Sequence, residues 1–218
     1  MKKFIVLLAA IFMLTTVCAC SENDKTFERI SQLREDIFYY GDEEFSLYAY
    51  PELRENPFVE DGYAGKTDNY IIFKLTTAGN KEPIESPTVY FELNDKIYTK
   101  QFDFLPLAVN LYCQVDVDEL PVGNFSVTIK FNGTEKDINF ESLKKNSTFS
   151  YKDIINLAKQ CNNITVKDFF ENPDNYELRL RLIENSGFNY WYVGISGENS
   201  VALLYDGETG ELIAVKDN

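Results

Sequence analysis

The chain has 218 residues, of which 35 are acidic and 21 basic, giving a formal charge of −14, and it contains no histidine. So negative a surface repels nucleic acid and anionic lipid, so neither is an expected partner. Without histidine there is no Ser-His-Asp or Cys-His catalysis, no histidine general base and no histidine-bearing zinc site.

Residues 1–19 read as an export signal. Lys2 and Lys3 precede an apolar run of 14 residues, Phe4 to Val17. As a helix this run is about 21 Å long, short of a hydrocarbon core about 30 Å thick, so it targets rather than spans. Val17-Cys18-Ala19-Cys20 resembles the lipobox of bacterial lipoproteins. That resemblance implies diacylglycerol on the Cys20 sulfur, a cut just before Cys20, and a location outside the cytoplasm on the bacterial membrane. An ordinary secretory signal cut at the same place is the alternative. Processing leaves 19 basic and 35 acidic residues, a net charge of −16. Each buried acyl CH₂ contributes about 0.8 kcal/mol, so two or three acyl chains hold the protein without help from its surface. Residues 20–31 then form the lipidated cysteine and a tether. The polar part, Ser21 to Thr26, spans only about 13 Å and keeps the first folded unit near the bilayer.

Residues 32–142 read as successive short strands. They are predicted over Leu33 to Tyr39, Phe45 to Tyr50, Tyr70 to Thr76, Thr88 to Leu93, Ile97 to Phe102, Leu111 to Val117, Phe125 to Phe131 and Lys136 to Phe140. The clearest is FSVTIKF, where Phe125, Val127, Ile129 and Phe131 alternate with polar residues. Asn132-Gly133 follows it, the preferred pair for a type I′ hairpin because both residues tolerate positive φ. Gly41-Asp42 and Asn94-Asp95 mark further turns. Two loop lengths at Asn94 give opposite faces to the strand that follows, and the sequence leaves that choice open. Many short strands with regular turns predict a mainly β fold, an antiparallel sandwich of immunoglobulin-like kind. The cysteine–tryptophan–cysteine pattern of true immunoglobulin domains is absent.

Pro51 to Asp68, PELRENPFVEDGYAGKTD, is the segment without periodicity. At about 18 residues it exceeds ordinary loop lengths. Arg54, Phe58, Asp61 and Tyr63, beside Tyr48 and Tyr50, are its candidate partner-binding residues, since aromatic and arginine side chains dominate recognition surfaces. The plainer reading is a crossover whose aromatics plug the end of the sandwich.

Glu141 to Thr148 is polar and marks a boundary. Ser150, with Asp153 three residues later, can cap a helix running to about Gln160. Asn162-Asn163 stops it, and Val166 to Phe170 is a short helix or an irregular link ended by Asn172-Pro173. Closing strands are predicted at Tyr176 to Ile183, Phe188 to Ile195, Ser200 to Tyr205 and Glu211 to Val215. In the first, Leu178, Leu180 and Leu182 face one way and Arg179 and Arg181 the other. The Ile154/Leu157/Ala158/Cys161 stripe can cover the apolar face. Cys113 and Cys161 thus fall in two cores and are expected as free thiols, a disulfide needing Cβ atoms about 4 Å apart.

The last 65 or so residues resemble a PepSY domain, a small α+β unit. Trp191, Tyr192, Val193, Asp206, Thr209, Gly210 and Glu211 match its pattern of an aromatic strand, a strand ending in Asp, then Thr-Gly-Glu. The resemblance implies an α+β domain over 149–218, with Trp191, Asp206 and Gly210 as fold markers. It supplies no catalytic residue, and it suggests restraint of peptidases.

Other chemistry is weaker. Asp42-Glu43-Glu44 and Asp116-x-Asp118-Glu119 are the densest acidic clusters, and Asp116 with Asp118 could hold a hard cation, but EF-hand spacing is missing. Gly194-Ile195-Ser196-Gly197 lacks nucleophile-elbow spacing. Arg179 and Arg181, joined by Tyr190 or Tyr192, form a row suited to an acidic or extended peptide. No metal or cofactor is expected. The chain reads as a non-catalytic, membrane-anchored lipoprotein that binds or regulates an envelope partner. A carboxylate-dependent hydrolase and a passive spacer are the rivals.

Overall fold

The computed structural model describes residues 25–59, 61–78, 84, 86–105 and 110–217; the signal, Cys20 and most of the tether lie outside them. The fold is mostly β, with one eleven-stranded mixed sheet, one four-stranded antiparallel sheet and two helices.

The first half supplies β1 (Ile30–Arg34), β2 (Phe38–Gly41), β3 (Phe45–Glu55), β4 (Thr67–Thr77), β5 (Thr88–Leu93), β6 (Lys96–Gln101), β7 (Asp103–Leu105), β8 (Asn110–Val117), β9 (Ser126–Phe131), β10 (Thr134–Asn139) and β11 (Glu141–Ser142). The small sheet runs β10-β9-β5-β6. Its hairpins close on Asn94-Asp95 and Asn132-Gly133, all four residues at positive φ. Those two-residue turns match the twist of the strands they join. The Asn94 turn settles the open register: Leu93 pairs with Lys96 and Phe91 with Tyr98, so Tyr98 points inward. Val89, Phe91, Val127 and Ile129 from this sheet meet Leu47, Ile71, Phe73, Leu75 and Cys113 from the long sheet in one core. This is the sandwich expected from the alternation.

The second half supplies α1 (Tyr151–Ala158), α2 (Ile164–Glu171), β12 (Glu177–Asn185), β13 (Phe188–Ser196), β14 (Val201–Asp206) and β15 (Leu212–Asp217). Ser150 caps α1 in a capping box with Asp153. Val166 to Phe170 is helical within α2, because the Asn163 side chain accepts from the amides of Thr165 and Val166. Both helices bury their apolar sides on Leu178, Leu180, Leu182, Trp191, Val193 and Leu203 in a second core. Cys113 and Cys161 are free; Cys113 is buried in the first core and Cys161 packs at the margin of the second. Burial pushes the Cys113 thiol up to about 12, so it is an inert core residue.

The long sheet crosses both halves in the order β15-β14-β13-β12-β1-β3-β4-β8-β7. β1 is the joint. It pairs parallel with β12, aligning Gln32 with Arg179 and Arg34 with Arg181, and antiparallel with β3, aligning Gln32 with Arg54. Two expectations change here. Residues 20–31 are not all tether: Phe27–Arg29 form a turn of 3-10 helix, Thr26 and Ser31 are buried, and β1 starts at Ile30. Nor is Leu33 to Tyr39 one strand. The chain breaks at Glu35-Asp36-Ile37, where the Asp36 carboxylate accepts from the Ile37 amide and the Ser142 hydroxyl. The break shifts it from one core to the other, since Ile37 packs in the second and Phe38 in the first. Pro51 fits this break. It lies between the β3 residues that pair with β2 and those that pair with β1, where a missing N–H breaks no ladder on that side.

Candidate functional site

The small sheet and the helices cover the same face of the long sheet. The opposite face is lined in register by Tyr112, Gln114 and Asp116 of β8, Tyr70 and Lys74 of β4, and Tyr48, Tyr50, Glu52 and Arg54 of β3. It continues through Gln32 and Arg34 of β1, Glu177, Arg179 and Arg181 of β12, and Tyr192 and Ser196 of β13. Apart from the loop of residues 56–66, no helix or strand among the described residues packs over it.

At one end this face carries a buried polar network. The Gln32 amide donates to Glu52 at 3.0 Å, Arg54 pairs with Glu52 at 3.1 Å and also donates to Gln114. Farther along, Arg179 donates to the Ser196 hydroxyl at 2.5 Å and lies 3.4 Å from Glu177. Glu52 and Glu177 are fully buried. Burial raises the Glu177 pKa above the ordinary glutamate value, while Ser31 and Arg179 pull it down. These groups knit β8, β3, β1, β12 and β13 together, and none of the carboxylates reaches solvent.

The expected loop is shorter than 18 residues. Pro51 to Glu55 continue β3, and Thr67 and Asp68 open β4, leaving residues 56–66. Its ends escaped the hydropathy pattern because Glu52 and Arg54 are charged yet buried against each other. The four candidates therefore part company. Arg54 is an interior residue, its side chain only 16% exposed, held between the rings of Phe58 at 5.3 Å and Tyr70 at 5.0 Å. Asp61 shapes the loop, accepting from the Tyr63 amide at 3.0 Å. Phe58 and Tyr63 stay 42% and 66% exposed. Gly62, at φ +84°, packs against the backbone of Gly197, where a Cβ would sit 2.8 Å from the Gly197 Cα. The loop thus roofs the buried network and leaves two aromatic rings outside.

Beyond the loop the face opens into a groove of about 280 Å³ lined by Arg34, Ile37, Tyr48, Tyr50, Lys74 and Glu184. Arg34 lies 4.8 Å above the Tyr50 ring, Tyr50 stacks on Tyr48 at 5.9 Å, and Tyr48 touches Tyr39. Arg181, beside Arg34 in the register, lies 4.3 Å above Tyr192. Burial lowers the Arg34 pKa; Glu52 opposes the shift and Arg181 adds to it. Two guanidinium groups thus stand side by side, each flattened on a tyrosine, with Lys74 across the groove. Of the residues named from the sequence, Tyr48 and Tyr50 line the groove, Arg181 and Tyr192 adjoin it, and Arg179 belongs to the buried network. The pairing of β3 with β4 sets Tyr48 and Tyr50 beside Lys74, and the pairing of β1 with β12 brings Arg181 beside Arg34.

The other candidates have structural partners. Asp118 is paired with Lys96 at 2.9 Å, and the Asp42 carboxylate accepts from the amides of Glu44 and Phe45 and pairs with Lys136. Among the described residues no three cysteine or acidic side chains are gathered so as to hold a metal ion. Trp191 is fully buried, with its indole N–H on the Phe149 carbonyl at 3.0 Å. Asp206 caps its own turn by accepting from the amides of Glu208 and Thr209, and Gly210 closes it at φ +71°. Asn189, which no sequence pattern marked, binds the boundary segment to β13. Its side chain contacts the Lys145 amide, the Thr148 hydroxyl and the Leu143 carbonyl. In comparisons with known proteins, no family model, no curated sequence and no solved structure matches the chain.

Proposed function

We propose that the chain is a non-catalytic lipoprotein, fastened to the bacterial membrane through Cys20, that binds or regulates a partner outside the cytoplasm. The groove on the open face of the sheet is the binding surface, and its ligand is an acidic, extended segment. One observation carries this reading: on a chain of net charge −14, Arg34 and Lys74 line one tyrosine-lined groove against a single carboxylate, Glu184, and Arg181 stands beside Arg34 in the register. Adjacent like charges repel, and a carboxylate placed between them relieves that repulsion while the tyrosines supply flat contact area. A peptidase is the partner class implied by the PepSY resemblance of residues 149–218.

Capture from envelope extract with mild crosslinking tests it. Wild-type protein is expected to retain a specific partner through an acidic segment, and the Lys74→Gln/Arg181→Gln double variant to lose at least tenfold in capture while melting normally. Equal capture by both proteins removes the groove from the proposal. An intact mass from native cells that equals an unmodified polypeptide removes the anchor.

A further inference from the structure

The outer strand β15 joins β14 on one side only among the described residues. Such an edge presents a row of unpaired backbone donors and acceptors, which proteins ordinarily blunt with charges. The outer strands of the small sheet follow that rule: β6 carries Lys96 and Lys100, and β10 carries Glu135, Lys136 and Asp137. β15 does not. Its Leu212-Ile213-Ala214-Val215 stretch is uncharged, with Leu212, Ile213 and Val215 exposed by 37%, 49% and 44%. Beside its C-terminal end lies a groove of about 680 Å³ whose walls carry three carboxylates, Asp168, Glu171 and Asp217, against one basic residue, Lys167, together with Ile164 and Asn199. Asp217 belongs to both the strand and the groove, so edge and groove form one continuous surface.

We propose that β15 takes up an extended segment of a partner protein as an added antiparallel strand. Apolar residues of that segment cover Leu212, Ile213 and Val215, and a basic residue at its N-terminal end enters the groove beside Glu171 and Asp217. Antiparallel pairing continues the β12-β13-β14-β15 meander, and backbone bonding supplies the affinity while the acidic groove selects the segment. A second copy of this chain fits worse. In a symmetric antiparallel pair the end of the partner strand beside the groove is its own N-terminal end, which carries Glu208 and Glu211 and no basic residue, so like charges meet there. The edge is separate from Arg34 and Arg181, so it stands or falls independently of the tyrosine-lined groove.

The test uses the full chain and a fluorescein-labelled peptide of two lysines followed by alternating valine and threonine, five residues long. Saturable binding is expected, together with slowed hydrogen exchange of amides 212–217. Ile213→Lys should weaken binding at least tenfold and Glu171→Gln several-fold, while Arg181→Gln leaves it unchanged. Replacing the peptide lysines with glutamates should abolish it. The proposal is overturned by absent binding, by binding indifferent to Ile213→Lys, or by slowed exchange confined elsewhere. Protection of β15 with dimerisation in the absence of peptide assigns the edge to a second copy and overturns it equally.

Discussion

The two faces of the long sheet are built from the same strands yet solve opposite problems. On the covered face, Leu47, Ile71, Phe73, Leu180, Val193 and Leu203 are fully buried under a second sheet at one end and two helices at the other. On the other face, arginines, glutamates and tyrosines alternate with them and stay partly solvated, except at the end where Gln32, Glu52, Arg54, Tyr70, Glu177 and Arg179 are withdrawn from solvent. The difference teaches that apolar burial sets the stability of this molecule, while the charged face joins its two halves and stays partly open to solvent.

The largest expected effect lies on the covered face. Leu180→Ala leaves a cavity beneath the helices and should destabilise by about 4 kcal/mol, read as a fall in the urea midpoint with unchanged slope. The buried part of the open face comes next. Arg54→Ala strands the Glu52 carboxylate and should destabilise by about 3 kcal/mol, whereas the Glu52→Leu/Arg54→Met pair should recover most of that loss. If the double variant is as unstable as the single one, the network is more than charge compensation. A smaller effect tests the pH response of the sheet margin. Asp42 is held well below the ordinary carboxylate range by Lys136, Tyr40 and two backbone amides, against the upward push of burial. A depressed pKa stabilises the fold above the ordinary range, and that contribution is lost as pH falls through the folded value. Asp42→Asn should therefore cost about 1 kcal/mol at pH 7, a gap that narrows on acidification below about pH 4. The smallest change in stability is expected from Arg181→Ala, within about 0.5 kcal/mol of wild type. Its effect should appear only in partner capture.

Several elements were legible residue by residue. FSVTIKF and the strand bearing Leu178, Leu180 and Leu182 follow the two-residue period, Asn132-Gly133 makes its turn, and Ser150 with Asp153 caps its helix. The site was legible in part: Arg181 and Tyr192 could be named as a row and Tyr48 and Tyr50 as candidates, but not that the two sets lie side by side, nor that Arg34 and Lys74 join them. Arg54 misled because a buried arginine beside a buried glutamate has the composition of a loop. The Ser186-Gly187 hairpin, both residues at positive φ, carried a usable glycine signal that passed unmarked.

By itself the sequence determined most of the strands, the turns, the caps and the two apolar stripes, since each follows from local sterics, short-range hydrogen bonding and side-chain alternation. Only the tertiary structure decided that β1 lies between β3 and β12, carrying Arg34 to Arg181 and merging the two halves into one sheet. Backbone pairing between distant segments is made by peptide groups common to every residue, so the side chains hold no local record of the partner strand.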